Sequence, residues 1–250
     1  VPVPVQVQGT VTINSVVVRP ISTVAVAGLG TVGISVPATV TRITNWIRNP
    51  RGEGAVVGTP GTDPTNWIIT DNFGQEPGMT KQIVGQGTDG GIPYTDVRFF
   101  GSSSNFISWW DIMFDGEVVG SSGIVNGGHW SVGAYMKQQG GSLTGVNQFQ
   151  IGFYSYHSQS YNNVYDSQNL FVTNAALSSQ FKTWSDTIVD PVVDQLAPRM
   201  SLEIAANTNV DITVRVGGAK FVNDTAIDGT LILPRAGFIP SLGQGTTFVY

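Results

Sequence analysis

Apolar and polar residues alternate with a period of two along most of this chain, the spacing of a half-buried β-strand. The clearest run is Val210-Asp-Ile-Thr-Val-Arg-Val216. There Val210, Ile212, Val214 and Val216 share one face, and Asp211, Thr213 and Arg215 the other. Residues 106–114 repeat the pattern, with Trp110, Ile112 and Phe114 alternating with Trp109, Asp111 and Met113. Further strands are predicted at 10–18, 22–27, 31–47, 66–70, 95–100, 130–136, 148–156, 169–173, 200–206 and 229–233. They are rich in Val, Ile, Thr and aromatics, which suit a pleated surface. Turn-forming clusters at 58–65, 87–91, 101–105 and 126–128 divide them. One stretch departs from this rhythm: Leu177, Phe181, Trp184 and Ile188 recur at helical spacing, and Pro191 bars continuation. That spacing predicts a short helix.

Many strands, long connections and little helix predict an all-β protein. The expected fold is a single β-sandwich of jelly-roll type, with an extended N-terminal arm and at most one or two short helices. Residues 1–20 form the expected arm, 21–234 the sandwich and 235–250 a C-terminal tail. The arm opens Val-Pro-Val-Pro-Val, and proline cannot donate to a ladder, so this is edge or arm rather than central strand.

Composition sharpens the picture through charge. Only 12% of the 250 residues are charged, against about 25% in ordinary soluble domains. Charged residues are depleted at interface cores, so low charge fits a surface covered by neighbours. The net charge of −5 and the scattered basic residues, of which Arg42, Arg48 and Arg51 with Arg19 come closest to a patch, supply no stripe for neutralising phosphates. Cysteine is absent, which removes disulfides, zinc knuckles and thiol nucleophiles. No apolar run approaches the ~18 residues of a membrane helix, and the Val1 start carries no signal-peptide pattern. It fits either proteolytic release from a precursor or a trimmed chain.

Candidate chemistry is thin. Gly28-Leu-Gly30-Thr-Val-Gly33 spells a dinucleotide fingerprint, but Ile34-Ser-Val-Pro37 follows where a helix is required, so a turn between two strands is the reading. Asp111, Asp115 and Glu117 have a spacing that places carboxylates on one strand face, as a glycosidase could use. The simpler expectation puts them on the solvent side. His129 and His157 lack a second histidine at ligand spacing and a Gly-x-Ser-x-Gly elbow, so both are read as loop or edge residues. Asp224 with Asp228, and Asp63, Asp89 and Asp96, offer oxygen ligands without the EF-hand spacing. Asn223 heads the single glycosylation sequon. No catalytic, cofactor-binding or metal-binding residue is therefore assigned, no cofactor is expected, and the protein is read as no enzyme. Phe153, Tyr154, Tyr156, His157, Tyr161 and Tyr165 are interleaved with Ser, Gln and Asn, the composition of adaptable binding loops, or of an ordinary strand end. Trp109, Trp110 and Trp130 could form a carbohydrate platform, with core the better reading.

The layout resembles the capsid proteins of picornavirus-like, positive-strand RNA viruses. The shared features are size, the Val1 start, absent cysteine, low charge and an extended arm. The end is most similar: Met200-Ser-Leu-Glu-Ile-Ala-Ala, Val210-Asp-Ile-Thr-Val-Arg-Val, Lys220-Phe-Val and Gly-Thr-Leu-Ile-Leu-Pro234. The resemblance implies a structural subunit of an icosahedral capsid that assembles with copies of itself and sister capsid proteins in the host cytoplasm. It further implies non-specific contact with packaged RNA and contact with a host receptor, with no membrane span. The alternatives are a phage fibre, spike or head-decoration protein, or a secreted carbohydrate-binding β-sandwich.

Overall fold

The structure is a computed structural model that describes residues 24–25, 31–32, 42–71, 76–115, 127–158, 160–167, 170–190, 192–223, 228–240 and 246–249. The expected arm, residues 1–20, and the strand at 10–18 lie outside them. Thr44–Thr246 forms one compact unit, and Val1–Ile43 with Thr247–Tyr250 a second.

The strands are β1 (Val24–Ala25), β2 (Thr31–Val32), β3 (Arg42–Asn45), β4 (Ile68–Asp71), β5 (Met79–Asp89), β6 (Ile92–Ser102) and β7 (Ser108–Met113). They continue as β8 (His129–Gly141), β9 (Val146–His157), β10 (Ser160–Asp166), β11 (Phe181–Thr187), β12 (Gln195–Ile204), β13 (Asn209–Val222) and β14 (Thr246–Val249). Two five-stranded sheets carry the fold, ordered β10-β9-β12-β7-β4 and β11-β8-β13-β6-β5. Strands β6 and β13, β7 and β12, β8 and β11, and β9 and β10 pair antiparallel. These four pairs nest one inside the next along the sequence. Laid side by side as β11-β8-β13-β6 and β10-β9-β12-β7, they form the jelly roll. Strands β5 and β4 extend one edge of each sheet.

Alternation explains how the sheets face each other. Val97 and Phe99 of β6, Val132, Ala134 and Met136 of β8, and Val210, Ile212, Val214 and Val216 of β13 turn inward from one sheet. Trp110 and Ile112 of β7, Ile151 and Phe153 of β9, and Met200, Leu202 and Ile204 of β12 meet them from the other. Trp110 and Trp130 are therefore core.

The helix predicted from Leu177 to Ile188 does not form. Leu177–Ser179 is one 3-10 turn, and Phe181–Thr187 is the edge strand β11. Pairing with all of His129–Tyr135 overrides the helical spacing: Phe181 lies against Tyr135 with ring centroids 5.0 Å apart, while Trp184 packs on the main core. The segment predicted at 229–233 forms no strand. Buried Asn45 holds it instead, donating from Nδ2 to the carbonyls of Ala219 and Ile232 while its Oδ1 accepts from the Phe221 and Ile47 amides.

Around the glycine fingerprint, β1 and β2 pair antiparallel, as the turn reading requires and a parallel βαβ unit does not. Gly28 and Gly30 themselves lie outside the described residues.

Candidate functional site

The β9–β10 hairpin sets three tyrosines together on the outer face of its sheet. Tyr154 and Tyr156 stand two apart on β9 and so share a face, and Tyr161 of β10 is the cross-strand partner of Tyr156. Their rings meet edge to face: Tyr154–Tyr161 at 5.6 Å, Tyr154–Tyr156 at 6.2 Å and Tyr156–Tyr161 at 6.3 Å, with interplanar angles of 80–82°. Tyr161, 52% exposed, forms the open side.

Below the rings lies a buried ionic network. The Arg199 guanidinium of β12 covers the Tyr154 ring at 4.1 Å and bonds Asp166 at 2.7 Å and Asp111 at 3.1 Å. The Tyr154 hydroxyl donates to Asp111 Oδ2 at 2.9 Å, and Ser201 Oγ bonds Asp111 Oδ1. Strand register makes this reach possible. Arg199 of β12 and Asp166 of β10 both stand opposite Gly152 of the intervening β9. A Cβ there would collide with Asp166, so the missing side chain opens the gap through which the two meet.

Burial raises the pKa of Tyr154 well above the ordinary phenol value and that of Tyr156 in the same direction, keeping both hydroxyls neutral. Burial also raises that of Asp166, against the opposing pull of Arg199. His157, at the hairpin end, lies 3.4 Å from Asp194.

The sequence candidates fare unevenly. Asp111 and Asp115 do not occupy a solvent face: they are 3% and 0% exposed. Asp115 accepts both Arg48 Nε and Nη2, at 2.7 and 2.5 Å, so each carboxylate is held by its own arginine. Glu117 and Asp224 lie outside the described residues. Asp89 and Asp96 do meet, but on the Arg215 guanidinium, and Asp63 is held by Lys81. Asp228 pairs with Lys220. Among the described residues no group of three His, Cys, Asp or Glu side chains converges as a metal site would. Trp109 alone of the three tryptophans faces outward.

The tyrosines are those the sequence singles out. Arg199 and Asp166 are not, because their contact depends on β9 lying between them, which no local spacing reports.

No family model and no curated protein matches the chain. Among solved structures it is similar to a carbohydrate-binding module in complex with beta-1,4-galactotriose, at 13% identity and a TM-score of 0.36, covering 72% of this chain and 99% of that one. It is also similar to the cyclase Fisc from Fischerella sp. TAU, at 12% identity and a TM-score of 0.47, covering 75% and 100%. A third is the enzymatically active domain of tailspike protein 4 of bacteriophage CBA120, at 12% identity and a TM-score of 0.32, covering 63% and 19%. The expectation of an icosahedral shell subunit is corrected here: the structures named are of other kinds, carbohydrate-binding modules among them, and none is a viral shell protein. Of the late segments that carried the resemblance, all but 229–234 fall in β12 and β13, two of the strands that close the jelly roll. They report its topology rather than a viral role.

Proposed function

We propose that this chain is a saccharide-binding β-sandwich that holds its ligand without turning it over. The observation that carries the reading is the tyrosine corner of Tyr154, Tyr156 and Tyr161 above a fixed ionic base. A sugar ring has apolar C–H faces and a polar rim, and tyrosine offers a rigid apolar ring with a hydroxyl at its tip. Three near-perpendicular rings give such a ligand contact area at low entropic cost. The base holds two carboxylates against one guanidinium, a formal charge of −1, so the corner favours neutral saccharides over acidic ones.

The described carboxylates favour binding over hydrolysis. A glycosidase needs one carboxylic acid and one carboxylate free to reach the scissile bond. Here Asp111 already accepts from Arg199, Ser201 and Tyr154, and Asp115 from Arg48.

The test is a neutral-glycan array followed by calorimetry on the hits. Tyr161→Ala, an exposed-ring deletion, is expected to weaken binding at least tenfold while leaving the melting temperature within about 2 °C of the parent, as a surface change should. A chain that binds no glycan, or a variant that binds as tightly as the parent, would sink the reading.

A further inference from the structure

A recess lies far along the same sheet from the tyrosines. Strand β4 ends one sheet and β5 the other, and between these two edges opens a pocket of about 320 Å³. That volume lies at the lower end of small-molecule sites, about 300–1,000 Å³. Ile69 and Met79 provide an apolar wall, and Thr70, Asp71 and Thr80 a polar rim. Trp110 of β7 closes it from the core side, 6% exposed, and its buried indole N–H has no hydrogen-bond partner. The Trp130 and Trp184 indoles share this state, so what singles out Trp110 is its place in the pocket wall.

The charges in the lining select the ligand. Lys81 also borders the pocket, but its ammonium is fully committed: it donates to both oxygens of Asp63 at 2.7 Å and to the Ile69 carbonyl at 2.6 Å. An ammonium has three donors, so none is left for an anion. Asp71 accepts the Glu76 amide at 2.8 Å through one oxygen, and a carboxylate has capacity for more. The Thr70 hydroxyl donates to the Asp71 carbonyl at 3.1 Å, which leaves its oxygen as an acceptor. The rim thus calls for a ligand that donates hydrogen bonds, carries no negative charge and offers an apolar face to Ile69 and Met79.

We propose that the pocket between β4 and β5 is a second ligand site, taking one neutral hydroxylated ring of the size of a single sugar residue. The choice of a sugar rests on the saccharide-binding reading above; the pocket and its charge selection do not. It sits at the β4 edge of the sheet whose β10 edge carries Tyr161, so the two sites are separate and each is removable alone.

The experiment is a nuclear magnetic resonance titration of the full chain with four neutral methyl pyranosides, the gluco, galacto, manno and xylo forms, up to 50 mM. The Trp110 indole N–H signal is assigned by its loss in Trp110→Phe. It is expected to shift saturably with at least one pyranoside. Asp71→Asn and Thr80→Val should each weaken that response at least fivefold, and Tyr161→Ala should leave it unchanged. A pyranoside that perturbs the tyrosine hairpin but never Trp110 overturns the second site and leaves the saccharide-binding reading standing. A Trp110 response that disappears in Tyr161→Ala also overturns it, because the two sites would then be one. Silence at both places overturns both.

Discussion

Strand β13 depends on a pair of glycines to keep its alternation useful over fourteen residues. Val210 to Val216 point inward on even numbers, whereas Ala219 and Phe221 do so on odd ones. The register against β8 shifts between Gly217 and Lys220, and Gly218 adopts φ +56°, so a bulge changes the parity and turns both halves toward the core. Gly217 has its own constraint: a Cβ there would overlap the Pro93 carbonyl oxygen and stand 2.8 Å from the Tyr94 Cα. Gly217→Ala is therefore expected to cost about 2–3 kcal/mol through forced separation of β6 and β13, read as a lower urea midpoint with an unchanged slope. A variant as stable as the parent would show that these strands separate freely.

At the scale of elements, strands were legible where alternation was dense. The expectations at 95–100, 130–136, 148–156 and 210–216 fall inside β6, β8, β9 and β13. Strand β12 was expected only from residue 200, yet it begins at Gln195 and runs through Pro198, a residue that central strands rarely accept. Its nitrogen points to the β7 side, where the ladder ends with the Phe114 amide on the Pro198 carbonyl, so the missing donor breaks nothing. Strand β5 was missed because Gly85 and Gly87 interrupt its apolar face, and β10 because Ser-Tyr-Asn-Asn does not alternate. The candidate site shows the same divide: neighbours on one strand could be read, whereas the Arg199–Asp166 contact across Gly152 exists only in the assembled sheet. The β5–β6 turn, expected within 87–91, is a two-residue loop in which Asp89 pairs with Ile92 and Gly90 and Gly91 have φ +60° and +86°. Both positive values mark a type I′ hairpin, which accepts asparagine first and resists β-branched residues. Gly90→Asn should leave stability within about 0.5 kcal/mol of the parent. Gly90→Val should lower it by roughly 1–2 kcal/mol, and equal midpoints for the two would rule out this turn.

For the whole molecule, nesting of the four strand pairs makes stability collective: β6 pairs with β13, more than a hundred residues later, as the Arg215–Asp96 bond at a separation of 119 shows. Global unfolding therefore reports protonation changes anywhere in the sheets. The tyrosine corner is one such place. Tyr154 and Tyr156 have folded pKa values raised by burial, whereas an unfolded tyrosine ionises near about 10. Below pH 10 both states hold the proton and stability is unaffected. Above it the unfolded chain releases protons that the folded chain retains, so stability falls as pH rises. Each fully retained proton contributes a slope of about 1.4 kcal/mol per pH unit. Urea unfolding at pH 9, 10 and 11 should show a steep loss between the last two in the parent. Tyr154→Phe removes one of these protons along with the hydroxyl bond to Asp111. It should be less stable at pH 9 yet lose about 1.4 kcal/mol less per pH unit above 10. Parallel curves for the two proteins would mean that Tyr154 ionises within the folded sheet, and that its ring is far more open to water than the Arg199 cover at 4.1 Å allows.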